Sequence, residues 1–270
     1  MKKKLNIGML VLAITVLLGL ASCQKDDWID SSELKNASGL SLKNATMNTF
    51  YSSTQPLGRG TARAWVRVNK EGDPLAVGVD LSEKALMGLP DEMVQLVLKL
   101  PKTKGHQFYT HALVDWNPEG HEPPGIYDTP HFDFHFYTLG NEARMAIPAM
   151  DPPYEDLKPA AMYVPENYME LPGLVPGMGA HWVDVTSPEL SGVPFTYTFI
   201  WGSYQGHFIF WEPMITRAYL MSMPDDLIPI PQPEAYEMAG WYATDYSIRF
   251  SEKPNQYTVA LENLMYHDAE

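Results

Sequence analysis

The chain has 270 residues, 45% of them hydrophobic and only 19% charged, with a formal net charge of −14. Such a surplus of acid repels phosphate backbones and excludes nucleic acid as a partner. A single cysteine excludes a disulfide framework, and twenty-three prolines leave little room for long helices.

Lys2, Lys3 and Lys4 precede an apolar run from Leu5 to Leu20, which ends in Ala21-Ser22-Cys23. A charged start, a hydrophobic middle and small residues before a cysteine define a signal peptide over residues 1–22 rather than a membrane span. Leu20-Ala21-Ser22-Cys23 resembles the bacterial lipobox, which makes Cys23 the lipidated first residue of the mature chain and its membrane anchor. Gln24-Lys25-Asp26-Asp27 resembles the acidic export signal of surface lipoproteins in the Bacteroidetes group, so the expected location is the outer membrane, facing the periplasm or the outside. Residues 23–58 are rich in Ser, Asn, Lys and Thr and read as a flexible tether, leaving 59–270 as a single folded domain. Once Cys23 is lipidated no thiolate remains, so any metal site must use His, Asp, Glu or water.

Past the tether, apolar residues recur at period two, the pattern of half-buried strands. Ala62, Ala64, Val66 and Val68 alternate with Thr61, Arg63, Trp65 and Arg67, and Glu71-Gly72-Asp73 turns the chain into Leu75–Leu81. Ser82 is placed to cap a short helix reaching Met87. Met93–Leu100 and Gln107–Trp116 follow as strands. Residues 148–194 are rich in Pro and Gly and read as irregular with one short helix. Phe195–Trp201 and His207–Glu212 flank a glycine-bearing loop as a hairpin, and Tyr246–Phe250 with Tyr257–Leu264 make another. Eight or more strands without a βαβ rhythm predict a mainly β fold: one antiparallel β-barrel or β-sandwich domain with long Pro/Gly-rich loops and few short helices.

Residues 106–137 hold five of the eight histidines. At their end, His131-Phe132-Asp133-Phe134-His135-Phe136-Tyr137 alternates strictly. Phe132, Phe134 and Phe136 form one face of a strand, and His131, Asp133 and His135 form the other. Three metal-competent groups in a row on an apolar strand are costly unless paired, wetted or coordinated. Residues two apart on a strand are about 6.6 Å apart and residues four apart about 13 Å, so one ion can take Asp133 with either neighbouring histidine but both histidines only if the strand bends. A helical His-x-x-x-His reading fails, because the run follows Pro130 and lacks the glutamate of that motif.

Three further stretches can complete a site: the rigid loop Asn117–Gly125 with His121, the glycine-flanked His181 beside Trp182, and Glu212 inside an apolar strand. Glu212 shares a face with Phe208 and Phe210 and needs a partner, which a cation, Arg217 or a tyrosine hydroxyl would supply. Each also has a plainer reading: His121 as a solvent-exposed or backbone-bonded loop residue, His181 as a packed core histidine, the strand row as a buried hydrogen-bond network. His111 reads as structural, and His106, His207 and His267 carry no signal. Imidazole and carboxylate ligands suit Zn, Fe or Mn, and equally Ni or Cu. No phosphate-binding glycine loop, Gly-x-Ser-x-Gly elbow, cysteine nucleophile or cupin spacing is present.

Trp116-Asn117-Pro118, Gly120-His121, Pro124-Gly125, Tyr127-Asp128, Pro130 through Phe136, Met178-Gly179, His181-Trp182, Gly202-Ser203-Tyr204, Gly206 and Glu212 through Thr216 together resemble an uncharacterised bacterial family. That family is known through a hypothetical protein controlled by a sigma-E/anti-sigma-E system. The resemblance runs over most of residues 60–265 and implies a mainly β domain, open to homo-oligomer formation, with no implied activity. Its motif carries His121, His131, Asp133, His135, His181 and Glu212.

The leading expectation is therefore a lipid-anchored envelope protein that binds one divalent transition metal through some of those six residues, with hydrolytic or oxidative chemistry on a small substrate as an extension. Two rivals stand beside it. Seven tryptophans and fifteen tyrosines on an acidic surface suit a non-catalytic module for glycans or other small ligands. The His/Asp row as a packed network suits a structural stress-response envelope protein.

Overall fold

The computed structural model describes residues 47–104, 107–151 and 157–270. The signal peptide, Cys23 and the tether as far as residue 46 lie outside these residues, as does His106.

In chain order the first strands are β1 (Asn48–Tyr51), β2 (Gln55–Leu57), β3 (Gly60–Val68), β4 (Pro74–Ser82), β5 (Val94–Lys99), β6 (His111–Asn117) and β7 (His131–Tyr137). Then come β8 (Tyr168–Glu170), β9 (Ala180–Asp184), β10 (Tyr197–Tyr204), β11 (His207–Thr216), β12 (Asp225–Pro229), β13 (Gly240–Glu252) and β14 (Asn255–His267). They form two antiparallel seven-stranded sheets. The first runs β1-β3-β4-β14-β13-β12, with β2 also on β3; the second runs β5-β6-β7-β11-β10-β9-β8. Of the two architectures expected, the fold is the sandwich, since neither sheet closes into a barrel.

The predicted alternation places the core between the sheets. Ala62, Ala64, Val66 and Val68 of β3 join the same buried cluster as Phe132, Phe134 and Phe136 of β7 and Ala112, Val114 and Trp116 of β6. Phe199 meets Tyr246 across the interface at 4.9 Å between ring centroids. Trp211 packs edge-on to Trp201 and Tyr109 at 5.3 and 5.6 Å, favourable geometry for aromatic pairs. Among the described residues helices are few and short: α1 (Asn141–Met145), α2 (Arg217–Met221) and three 3-10 turns. None among the described residues is long and apolar enough to cross a membrane.

Four departures from the sequence reading have physical causes. Residues 48–57, assigned there to the tether, are paired on β3 as β1 and β2, short and mostly exposed strands that are too brief to show a strand pattern. The irregular stretch 148–194 contains β8 and β9, too short for period two to register. Ser82 sits at the start of the 3-10 turn Glu83–Leu86, but its hydroxyl accepts from the Thr61 amide at 2.9 Å instead of capping the turn. Glu212 shares a face with Phe210 but not with Phe208. The β10–β11 register slips from Gly202↔Phe210 to Ser203↔Phe208, so Ile209 is an extra residue and the strand rotates there.

Phe134 is fully buried between the sheets, whereas Phe50 on β1 is 45% exposed. Urea unfolding should find Phe134→Ala destabilised by about 3–5 kcal/mol, and Phe50→Ala changed by no more than about 0.5 kcal/mol.

Candidate metal centre

Because the aromatic face of β7 is locked into the sandwich, its polar face must lie on the outside of the second sheet. That face is nonetheless buried: His131, Asp133 and His135 are 0%, 4% and 1% exposed. It is roofed by the loop from Asn117 to Pro130 and by residues 171–178, which enclose a cavity of about 490 Å³. Asp115, Asn117, His121, Asp133, His135, His181 and Glu212 all line it, with Tyr127, Met178 and Ile200 among its apolar walls.

Neighbouring strands deliver the remaining groups. In the β6–β7 register Asn117 faces His131 and Asp115 faces Asp133. On the other side Met214 faces Asp133, which sets Glu212 opposite His135. His181 arrives from β9, opposite Gly202 of β10. The absence of a side chain at Gly202 is required, because a Cβ there would lie 1.8 Å from the Phe210 ring. That ring sits edge-on between two imidazoles, 5.0 Å from His135 and 5.3 Å from His181. His121 comes from the roof. Gly120 beside it has φ +75, and a Cβ would meet the Tyr127 carbonyl at 2.0 Å. The tight crossing lets the His121 amide donate to that carbonyl at 3.3 Å.

The six residues expected to converge do so, but as two triads rather than around one point. In each triad one ligand atom per residue lies within 4.8 Å of the others: His121, His131 and Asp133 in one, His135, His181 and Glu212 in the second. In the first, His121 Nε2 is 3.4 Å from Asp133 Oδ2 and His131 Nε2 is 3.2 Å from Asp133 Oδ1. The Asn117 amide donates to Asp133 Oδ2 at 2.7 Å. His121 Nδ1 lies 2.7 Å from the Glu122 carbonyl and His131 Nδ1 lies 2.6 Å from the Thr129 carbonyl. A carbonyl only accepts, so both Nδ1 atoms carry protons and, on neutral rings, both Nε2 lone pairs face the carboxylate. In the second triad His135 Nε2 is 3.3 Å from Glu212 Oε1, and His181 Nε2 is 3.9 Å from Glu212 Oε2.

Among the described residues no lysine or arginine pairs with Asp115, Asp133 or Glu212; the nitrogens within 4.0 Å of their oxygens in ion-pair geometry are those of histidines. Arg217, a partner considered for Glu212, donates instead to the Leu86 carbonyl at 2.8 Å. Burial, then the charge of Asp133, pushes the Asp115 carboxyl up to about 8. Burial, then Asp133 and Asp115, raises Glu212 well above the carboxylate range. Burial alone would raise Asp133 too, but hydrogen bonds and charge from His121 and His131 outweigh it and hold that carboxyl far below its usual value. For His121, burial opposes protonation and Asp133 outweighs burial, so its pKa is raised. Burial lowers His135 to about 3 and His181 to about 4.

Asp115 and Asn117 line the cavity, and the sequence reading singled out neither as a site residue, though it named the loop that Asn117 opens. The signal was there: His111, Leu113, Asp115 and Asn117 alternate with Ala112, Val114 and Trp116 as the β7 row does with its phenylalanines. His111 is outside both triads, stacked on Tyr137 at 5.0 Å with Nδ1 against the Thr110 hydroxyl at 2.9 Å. His207 pairs with Glu237 at 2.8 Å, and His267 lies against Tyr236 at 4.2 Å.

The Asp115 carboxyl has a measurable signature in metal-free protein. Its folded pKa of about 8 lies above the unfolded carboxylate value of 3.8, so the folded state holds a proton that the unfolded state has released. Its contribution therefore falls as pH rises from about 4 to about 8. Thermal melts in EDTA should find Asp115→Asn gaining on wild type from pH 5 to pH 8; an unchanged difference would contradict the buried carboxyl. A model of the TTHB210-like family, described as hypothetical protein TTHB210, matches residues 69–116, which take in β4, β5 and most of β6 but stop short of β7. No curated protein and no solved structure matches the chain.

Proposed function

We propose that this chain binds a divalent transition metal of the Zn, Fe or Mn class at His121, His131 and Asp133, and that the bound ion serves chemistry on a small molecule in the adjoining cavity. The observation that carries the reading is the pair of imidazoles whose Nδ1 atoms rest on carbonyls at 2.7 and 2.6 Å while their Nε2 atoms converge on one carboxylate. Neutral rings so oriented concentrate lone pairs at a point with no proton to share, and a cation relieves that repulsion. Backbone carbonyls on the far nitrogen are the usual means by which metal-bound histidines are oriented, and two imidazoles with one carboxylate suit a borderline divalent ion.

Three protein ligands leave coordination positions open, and an ion with open positions polarises a bound oxygen or activates water. His121 is the partly open member, with its side chain 38% exposed, so a substrate reaches the ion from its side. Asn117 orients Asp133 through its 2.7 Å hydrogen bond. Among the described residues that line the cavity there is no lysine or arginine, which favours a neutral small molecule over a polyanion. The setting we propose is the outer membrane, with Cys23 lipidated; Lys2–Lys4, the apolar run to Leu20 and Leu20-Ala21-Ser22-Cys23 support it.

Protein prepared without a His-tag should carry metal by elemental analysis, and His121→Ala and His131→Ala should each hold one equivalent less. Metal at wild-type level in both variants would remove these histidines from the ligand set. No metal in wild type, together with unfolding of Asp133→Ala, would instead mark a hydrogen-bonded network of protonated His121 and Asp133. In cells labelled with palmitate, the protein should take up label and Cys23→Ala should not.

A further inference from the structure

The second triad shares no ligand with the first and stands on its own atoms. Asp115, His135 and Glu212 are 2%, 1% and 1% exposed, yet Asp115 Oδ1, both ring nitrogens of His135 and Glu212 Oε2 have no hydrogen-bond partner among the described residues. Buried polar atoms are paired in nearly all native structures, and leaving several unpaired in one place is costly. Their directions are consistent with one another. His135 Nε2 and His181 Nε2 face the two oxygens of Glu212, at 3.3 and 3.9 Å. On the far side of the His135 ring, Nδ1 faces Asp115 Oδ2 at 4.0 Å, beyond hydrogen-bond reach, and that oxygen also accepts from the Gln95 amide at 3.3 Å. Carboxylate, imidazole, gap, carboxylate is the order in which a histidine is presented to a metal by an acid behind it.

We infer that the cavity holds a second divalent transition-metal ion, ligated by His135 Nε2, His181 Nε2 and the Glu212 carboxylate, with Asp115 positioning His135 through its far nitrogen. The donors are imidazole and carboxylate without thiolate, which selects the same borderline class of ion as the first triad. Asp133 and His135 are alternate residues of one strand, with Cα atoms about 6.6 Å apart, so both ions open onto one chamber. Gly202 and Phe210 support this site: the ring of Phe210, lying where a Cβ of residue 202 would be, packs edge-on against both imidazoles.

Full-length protein without a His-tag, stripped with EDTA and dialysed, is titrated with Co²⁺ by calorimetry and by visible absorbance. Two equivalents are expected. His181→Ala should lose one of them and keep the one that His121→Ala removes. Asp115→Asn should retain both but bind the second ion about ten- to a hundredfold more weakly and shift its absorption band, with the first ion's band unchanged. A wild type with one equivalent, lost in His121→Ala and kept in His181→Ala, overturns this site and leaves the first standing. The converse pattern overturns the first site alone. Two equivalents retained by His181→Ala also overturn the second site. The side chain of His181 is 15% exposed at the cavity wall, the most open of the three ligands of this site. If that variant fails to fold, the wild type read with His121→Ala decides: a single equivalent that His121→Ala removes overturns the site, and two equivalents of which it removes one support it.

Discussion

Burial of β7 on both faces is the constraint from which the rest of the molecule follows. Phe132, Phe134 and Phe136 each have no exposure and sit between two sheets packed with aromatic rings. Each such side chain is worth about 1.5–3 kcal/mol of transfer free energy, so the strand cannot rotate or slip. A one-residue slip would send phenylalanines outward and histidines into the core. The register that the apolar face demands is the register that aims Asp133 and His135 into the roofed cavity and buries His131 beside it.

Much of this was legible from the order of residues. Strict alternation in His131–Tyr137 specified both faces of the strand, and the same periodicity located β3, β4, β5 and the hairpins. The six candidate ligands also came together: five were ionisable groups set among residues that must be buried, and His121 was carried by the loop that leads into β7. Their grouping was not legible. Spacing along β7 showed that His131 and His135 were too far apart for one ion, but pairing partners come from the register with β11 and β9, which no local pattern encodes. The bulge at Ile209 is the clearest case. One extra residue turned Phe208 away from the side that Phe210 and Glu212 share, and period-two counting from His207 has no means of detecting it.

Asp115 was missed for a different reason. In His111–Asn117 the outward positions mix His, Leu, Asp and Asn, so the row lacks the chemical uniformity that made β7 conspicuous. Only pairing opposite Asp133 reveals that two carboxylates are held face to face in a chamber whose described lining has no lysine or arginine. Edge strands β1, β2 and β12 escaped for the opposite reason: their exposure dilutes the apolar signal on which strand reading depends.

The six ligand-competent residues differ in how they are mounted. Five stand on hydrogen-bonded strands of one sheet, while His121 projects from a loop that closes on itself through Gly120 and Tyr127. Under the proposed ligation, release of the ion beside His121 would ask only that loop to give way, whereas release of a second ion held on strands alone would require the sheet itself to open.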